Sequence, residues 1–190
     1  MHWLPHPPLD RRLRRWVTAG GSLTAHLQRA CRQVTVQRLH QGASPMRRDE
    51  AHALRRERQR RAHAREVVLR CDAEPVVYAR SVVAAHRVHG PWRALAGLGS
   101  RPLAQLLFQQ PHIARSPLAY ARVPRCGPLR RHIAAAWQAA TDSPLPPAGL
   151  WARRSLFTKQ RAPLWLMEVF SPRLAERRAP LRRRPGAAAG

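Results

Sequence analysis

Acidic residues are scarce in this sequence. Ten Asp and Glu stand against 35 Lys and Arg, giving a formal net charge of +25, and Lys159 is the only lysine. Cysteines are few: Cys31, Cys71 and Cys126 are odd in number and form no CxxC pair. That pattern argues against a disulfide scaffold and against a zinc site, and it suits a reduced cytosolic compartment. Aromatic residues make up 6% of the chain, and the basic runs are poor in them. A groove for nucleic acid would interleave arginines with aromatic side chains. No apolar run approaches the roughly 18 residues that a membrane span needs. Met1–Val17 has no apolar segment of the signal-peptide kind, being interrupted at Arg11–Arg15. GxSxG, Walker, GxGxxG and HExxH patterns are missing. His86 and His89 lie three apart, but no nearby Cys or acid completes a metal set, so no metal is expected.

What is present is enough apolar residue, 44% of 190, to build one packed domain. The positive charge attracts anions of any kind, from nucleic acid and acidic membrane surfaces to small metabolites, and by itself names none of them. It is also unevenly placed. Residues 45–65 hold eight Arg and three acids, residues 171–190 six Arg and one acid, and residues 66–110 only five Arg and three acids. The middle reads as a folded core with the excess charge at its margins.

Periodicity and punctuation supply the elements. Residues 1–10 read as an extended lead-in. Asp10 is placed to cap a helix over about 11–18, and Gly20-Gly21 breaks it. Ser22 caps a second helix, Leu23 to Ala30. Residues 32–39 alternate as a strand, and 41–63 read as a basic loop or exposed helix. Arg65–Cys71 and Val76–Val83 are β-rich runs around an Asp72–Pro75 turn, which predicts an antiparallel hairpin. Helices are expected near 91–97 and 102–109, a strand within 112–122 and a helix over 127–141. Gly149–Phe157 and Pro163–Phe170 form a second strand pair around a Lys159–Ala162 turn. Hairpins with a few helices predict an α+β domain on an antiparallel sheet.

Few side chains stand out as chemistry. Glu168 is the only acid in Pro163–Phe170, a run apolar on both faces. It is either a buried carboxyl that must be paired, hydrogen-bonded or protonated, or a strand-end residue paired with a surface Arg. Arg65 shares a face with Val67, Leu69 and Cys71, so it either points into a cavity or starts the strand in solvent. Arg80 carries the same ambiguity beside Val76, Tyr78 and Val82. Of Arg153 and Arg154, one must face inward if the other faces out.

An ordered set of segments carries a resemblance. Gly21–Thr24 (GSLT), Arg65–Pro75 (REVVLRCDAEP), Ala79–Val83 (ARSVV), Pro102–Phe108 (PLAQLLF), Gly149–Ser155 (GLWARRS) and Pro163–Phe170 (PLWLMEVF) occur in that order and span most of residues 16–172. Together they resemble the chorismate pyruvate-lyase family of ubiquinone biosynthesis. The resemblance implies a six-stranded antiparallel sheet with helices around a small enclosed cavity. It also implies a reaction in which chorismate loses pyruvate to give 4-hydroxybenzoate without a cofactor. It places the ligand carboxylate on Arg65, at the opening of the strand before the hairpin. It puts the ring hydroxyl on Glu168, and backbone groups at two helix starts, Leu23 and Leu103, complete the site. Residue chemistry agrees. A planar guanidinium grips a carboxylate with two parallel bonds, and helix-start amides favour carboxylates.

The expected organisation is one lyase-like domain over 11–172, with 123–148 as an insertion able to alter the lid over the cavity, and a basic disordered tail over 173–190. A cytoplasmic monomer is expected, with no obligate nucleic acid, and with basic tails that can touch anionic membrane. Two other classes compete. The effector-binding domains of some bacterial transcription regulators share such a fold and bind a ligand without converting it. They need a separate DNA-binding domain, for which residues 1–30 are too short. A basic nucleic-acid-binding protein would instead show steep salt dependence.

Overall fold

Alternating apolar side chains and two tight turns build the centre of the molecule. A computed structural model describes residues 1–55, 61–108, 112–141 and 143–178. In chain order the elements are α1 (Arg11–Val17), α2 (Leu23–Ala30), β1 (Val34–Pro45), α3 (Arg48–Ala53), β2 (Arg61–Cys71), β3 (Glu74–Ala84), α4 (Arg93–Ala96), α5 (Leu103–Phe108), β4 (Ala114–Arg115), β5 (Ala119–Arg122), α6 (Pro128–Ala140), β6 (Trp151–Lys159) and β7 (Ala162–Phe170). The strands make one antiparallel sheet in the order β1-β2-β3-β7-β6-β4, with β5 also pairing β6. The α+β class is as expected. The sheet has seven strands rather than about six, because the strand foreseen within 112–122 is two short pieces that follow one another along the same edge of β6.

Local chemistry explains the boundaries. The Asp10 side chain accepts from the amides of Arg12 and Leu13 at 2.8 and 3.0 Å, and Ser22 accepts from that of Ala25 at 3.1 Å. Each satisfies amides that the first helical turn leaves open. The hairpins β2–β3 and β6–β7 turn at Asp72-Ala73 and Gln160-Arg161, all four at positive φ. Two consecutive left-handed residues match the twist of a two-residue hairpin. In 41–63 the structure differs from expectation. Pairing with β2 carries β1 on to Pro45, and α3 follows. Arg65 therefore sits inside β2, four residues after it begins at Arg61, and not at its opening.

The sheet is covered on both faces. On one, Val68, Tyr78, Val82, Trp165, Met167 and Val169 pack with Ile133, Trp137 and Ala140 of α6. Helix α6 of the 123–148 segment thus lies on this face, and none of the described residues of that segment lines the cavity described below. The other face carries two separate apolar clusters. One joins α1 and α2 to Val67, Leu69, Val77, Ala79, Trp151 and Phe170. The other joins Trp92, Leu95, Leu106 and Leu107 to Val83, Phe157, Leu164 and Leu166. Cys31 and Cys71 form a disulfide within the first cluster, which corrects the expectation against disulfides drawn from the odd count and the lack of a CxxC pair. Cys126 is free and exposed. The pair is 40 residues apart, with no short spacing to betray it; β1 brings Val34 opposite Cys71 and so closes α2 onto the end of β2. Leu174, in a short 3-10 turn over Pro172–Glu176, is fully buried in that cluster. Packed chain thus continues past 172, and residues 179–190 of the expected tail lie outside the described residues. No helix among the described residues is long and apolar enough to cross a membrane.

Candidate active site

Between the two apolar clusters, a band of polar residues crosses the same sheet face. The register sets it out. Arg65 pairs with Ser81, Ser81 with Leu166, and Leu166 with Ser155. One step along the strands, Val67 pairs with Ala79, Ala79 with Glu168, and Glu168 with Arg153. Arg65 and Glu168 therefore point from one face, two strands and two residues apart. At ordinary strand spacing and rise their Cα atoms are about 12 Å apart. Extended side chains leaning toward each other across that interval leave room for one small ring.

That room exists. A partly open cavity has Arg65, Val67, Ala79, Ser81, Leu166 and Glu168 as its floor. Leu23 and Thr24 of α2 wall it on one side, and Leu103, Leu107 and Phe108 of α5 on another. All four residues expected to form the site, Leu23, Arg65, Leu103 and Glu168, line this one cavity. Leu23 and Leu103 are each the first residue of a helix. Both charged members are buried: Arg65 is 3% exposed and Glu168 8%.

Their partners differ. Arg65 donates through Nε and Nη2 to Gly99 O at 3.2 and 3.1 Å, and through Nη2 to Arg101 O at 2.8 Å. Two carbonyls aim the guanidinium without neutralising it, and no carboxylate pairs with it among the described residues. Burial, and then the charge of Arg38, pull its pKa down to about 10, so it remains a cation at neutral pH. A buried cation without a counter-ion is a site waiting for an anion. Glu168 is paired: Arg153 Nε lies 2.5 Å from Oε2. Arg153 is itself held by Val17 O at 3.3 Å and Ala19 O at 2.7 Å, and its guanidinium lies over the Phe170 ring. The sequence left open whether Glu168 is buried or lies at a strand end beside a surface Arg; it is buried, and paired with a buried one. Of the neighbouring arginines, Arg153 takes the cavity face, while Arg154 stacks on Trp3.

Arg80 belongs elsewhere. On the opposite face it donates to Glu50 Oε1 at 2.7 Å, to Glu66 and to Pro45 O. Burial lowers its pKa, but the two glutamates outweigh that and raise it. His132 of α6 binds the other oxygen of Glu66 at 2.8 Å. This is a structural network that pins α3, β2, β3 and α6 together.

Sequence reasoning missed one cavity residue, Arg115. It lies in a two-residue strand with no pattern around it, and only the pairing of β4 with β6 brings it over Phe157. Among the described residues, no group of three or more His, Cys, Asp or Glu is arranged to hold a metal ion.

A family model described as "Chorismate lyase" matches residues 3–179. A protein of Albidiferax ferrireducens named probable chorismate pyruvate-lyase is 49% identical over 158 residues, which cover 83% of this chain and 80% of that one. Another of the same name, from Aromatoleum aromaticum, is 45% identical over 177 residues, 92% of this chain and 94% of that one. Solved structures share the fold at low identity. The C-terminal domain of the histidine utilization repressor from Pseudomonas syringae matches with a TM-score of 0.52 at 15% identity, covering 80% of this chain and 98% of that one. The PhnF C-terminal domain matches with 0.53 at 15%, covering 82% and 91%.

Proposed function

The chain belongs to the chorismate lyase family, and from that premise we propose that its cavity eliminates pyruvate from chorismate to leave 4-hydroxybenzoate, the aromatic acid that enters ubiquinone biosynthesis. One observation carries the reading: Arg65, a buried cation without a counter-ion, and Glu168, a buried carboxylate, line the same cavity from one sheet face at a ring's distance. In chorismate the ring carboxylate and the hydroxyl are para to each other. Arg65 grips the carboxylate with charge-assisted bonds. Glu168, with Oε2 on Arg153, accepts a hydrogen bond from the hydroxyl through Oε1. The first amides of α2 and α5, at Leu23 and Leu103, add donors for the ligand's oxygens.

The reaction needs no redox partner. The C3–O bond breaks and its electron pair leaves on the enolpyruvyl oxygen. The C4 hydrogen leaves as a proton and the ring becomes aromatic. The enolpyruvate methylene gains a proton and becomes the methyl of pyruvate, so atoms and charge balance. Aromatisation supplies the driving force. The protein's part is to hold one reactive conformer, to exclude water and to stabilise charge growing on the ether oxygen. The apolar walls Val67, Leu107, Phe157 and Leu166 provide the dry surroundings.

In this reading the enzyme works as a monomer in the cytoplasm, where Cys31 and Cys71 would be kept as thiols. Its basic surface touches anionic membrane only weakly, and it has no need of nucleic acid. The test is direct: purified protein is mixed with chorismate in the presence of a chelator, and both products are followed. Equimolar 4-hydroxybenzoate and pyruvate support the proposal. Tight binding of chorismate with no conversion would instead make the protein a sensor of the regulator-domain kind.

A further inference from the structure

Arg115 is the second cation that lines the cavity, beside Arg65, and the reaction as proposed gives it no role. It enters from β4 and lines the cavity with its guanidinium 5.1 Å from the centre of the Phe157 ring and 5.8 Å from that of Phe108. Its hydrogen bonds are neutral: Nε donates to Ser155 Oγ at 3.2 Å, and Nη1 to Gly21 O at 3.3 Å. It forms no ion pair among the described residues, and no hydrogen bond from its Nη2 is found among them. Burial and then the charge of Arg153 pull its pKa down, while Glu168 partly opposes them. Strand order agrees: β4, which carries Arg115, lies two strands from Glu168 on β7 and four from Arg65 on β2, and Gly21 O, which Arg115 reaches, is two residues from the Ala19 carbonyl that holds Arg153.

The substrate explains why a cation belongs there. Chorismate carries two carboxylates, one on the ring and one on the enolpyruvyl group. The ether is on C3, next to the hydroxyl-bearing C4. If Glu168 holds the C4 hydroxyl, the enolpyruvyl carboxylate must lie at the Glu168 end, where Arg65 cannot reach it. We propose that Arg115 binds the enolpyruvyl carboxylate and so aligns the breaking C3–O bond, making the cavity selective for a dianion. The inference rests on chorismate being the substrate. Phe157 and Phe108 hold the guanidinium plane in place, and two aimed donors suit a carboxylate better than a mobile ammonium would. When the bond breaks, the carboxylate held by Arg115 departs with pyruvate. The aromatic product keeps only Arg65 and Glu168. Arg115 thus acts on substrate and not on the ring product, and that asymmetry can be measured.

The experiment compares wild type with Arg115→Gln and Arg115→Lys. Two quantities are read: kcat/KM for chorismate, and the affinity for 4-hydroxybenzoate by calorimetry. Arg115→Gln should lose about 100-fold or more in kcat/KM, in the range of one lost charge-assisted contact. Its affinity for 4-hydroxybenzoate should stay within about threefold. Arg115→Lys should recover part of the loss. Bound 4-hydroxybenzoate also shows that the variant is folded; should Arg115→Gln not fold, Arg115→Lys gives the same comparison. Equal losses in both quantities would overturn the proposal by showing that Arg115 only shapes the ring site, and so would unchanged turnover. A wild-type chain inert toward chorismate would remove the lyase reading itself and this inference with it.

Discussion

Arg153 and Glu168 stand directly opposite each other on β6 and β7, with Nε 2.5 Å from Oε2 and both side chains buried. The pairing makes Glu168 a directed acceptor rather than a loose charge. Val17 O and Ala19 O hold Arg153, Arg153 takes one carboxylate oxygen, and the other remains for ligand.

Glu168→Gln should therefore cut chorismate turnover by about 100-fold or more while the fold survives. The amide keeps the shape and can still accept from Arg153, whereas Glu168→Ala would leave Arg153 buried without its partner. Steady-state kinetics beside a thermal melt checks this. Near-normal turnover in Glu168→Gln would remove Glu168 from its assigned role.

Arg65→Ala should act mainly on binding. Truncating one member of a buried charge pair costs about 2–5 kcal/mol, or roughly 30-fold or more in the affinity for 4-hydroxybenzoate. Calorimetry on the folded variant measures it, and an unchanged affinity would reject the carboxylate clamp.

Much of this arrangement was legible in the sequence. Alternation and turn residues located both hairpins, and Asp10 and Ser22 marked their helices. An acid in the apolar run Pro163–Phe170 singled out Glu168. The rest depends on contacts between distant segments. Cys31 and Cys71 are distant in sequence, and only the docking of β1 on β2 makes them neighbours. The continuation of β1 through a Gln/Gly/Ser-containing stretch follows from its pairing with β2, not from its own propensity. Arg115 has no local signal at all. Arg65 and Arg80 looked alike in sequence, yet strand parity sends them to opposite faces, one to a cavity and the other to two glutamates.

That second network gives a pH prediction. Burial pushes the Glu66 carboxyl up, but His132 and Arg80 outweigh it and hold its pKa at about 2, below the ordinary 4.5. A carboxyl depressed on folding contributes stability that is present above its unfolded pKa and lost as pH falls through the folded one. Acid unfolding should draw on this contribution between about pH 4.5 and 2. Glu66→Gln should flatten the melting temperature in that window, and an unaltered profile would contradict the assignment. Arg80→Met should destabilise the fold by about 3–5 kcal/mol, since buried Glu50 loses its arginine and Glu66 keeps only His132.

The disulfide predicts a thiol count and a stability change. Denatured, unreduced protein oxidised to this state should show one free thiol, Cys126, and three after reduction. Cross-linking residues 40 apart restricts the unfolded chain by about 4 kcal/mol, so reduction should lower the melting temperature by several degrees. Activity should persist, because neither cysteine lines the cavity. Truncation after Arg178 should also leave activity intact, whereas truncation after Pro172 removes the buried Leu174 and should lower stability.

The most direct measurement of the central claim compares two ligands on two proteins. Wild type and Glu168→Gln are each titrated with 4-hydroxybenzoate and with benzoate, which keeps the carboxylate and lacks the hydroxyl. If Arg65 and Glu168 hold opposite ends of one ring, the substitution weakens 4-hydroxybenzoate at least about tenfold and leaves benzoate nearly unchanged. Equal weakening of both ligands, or of neither, would contradict it.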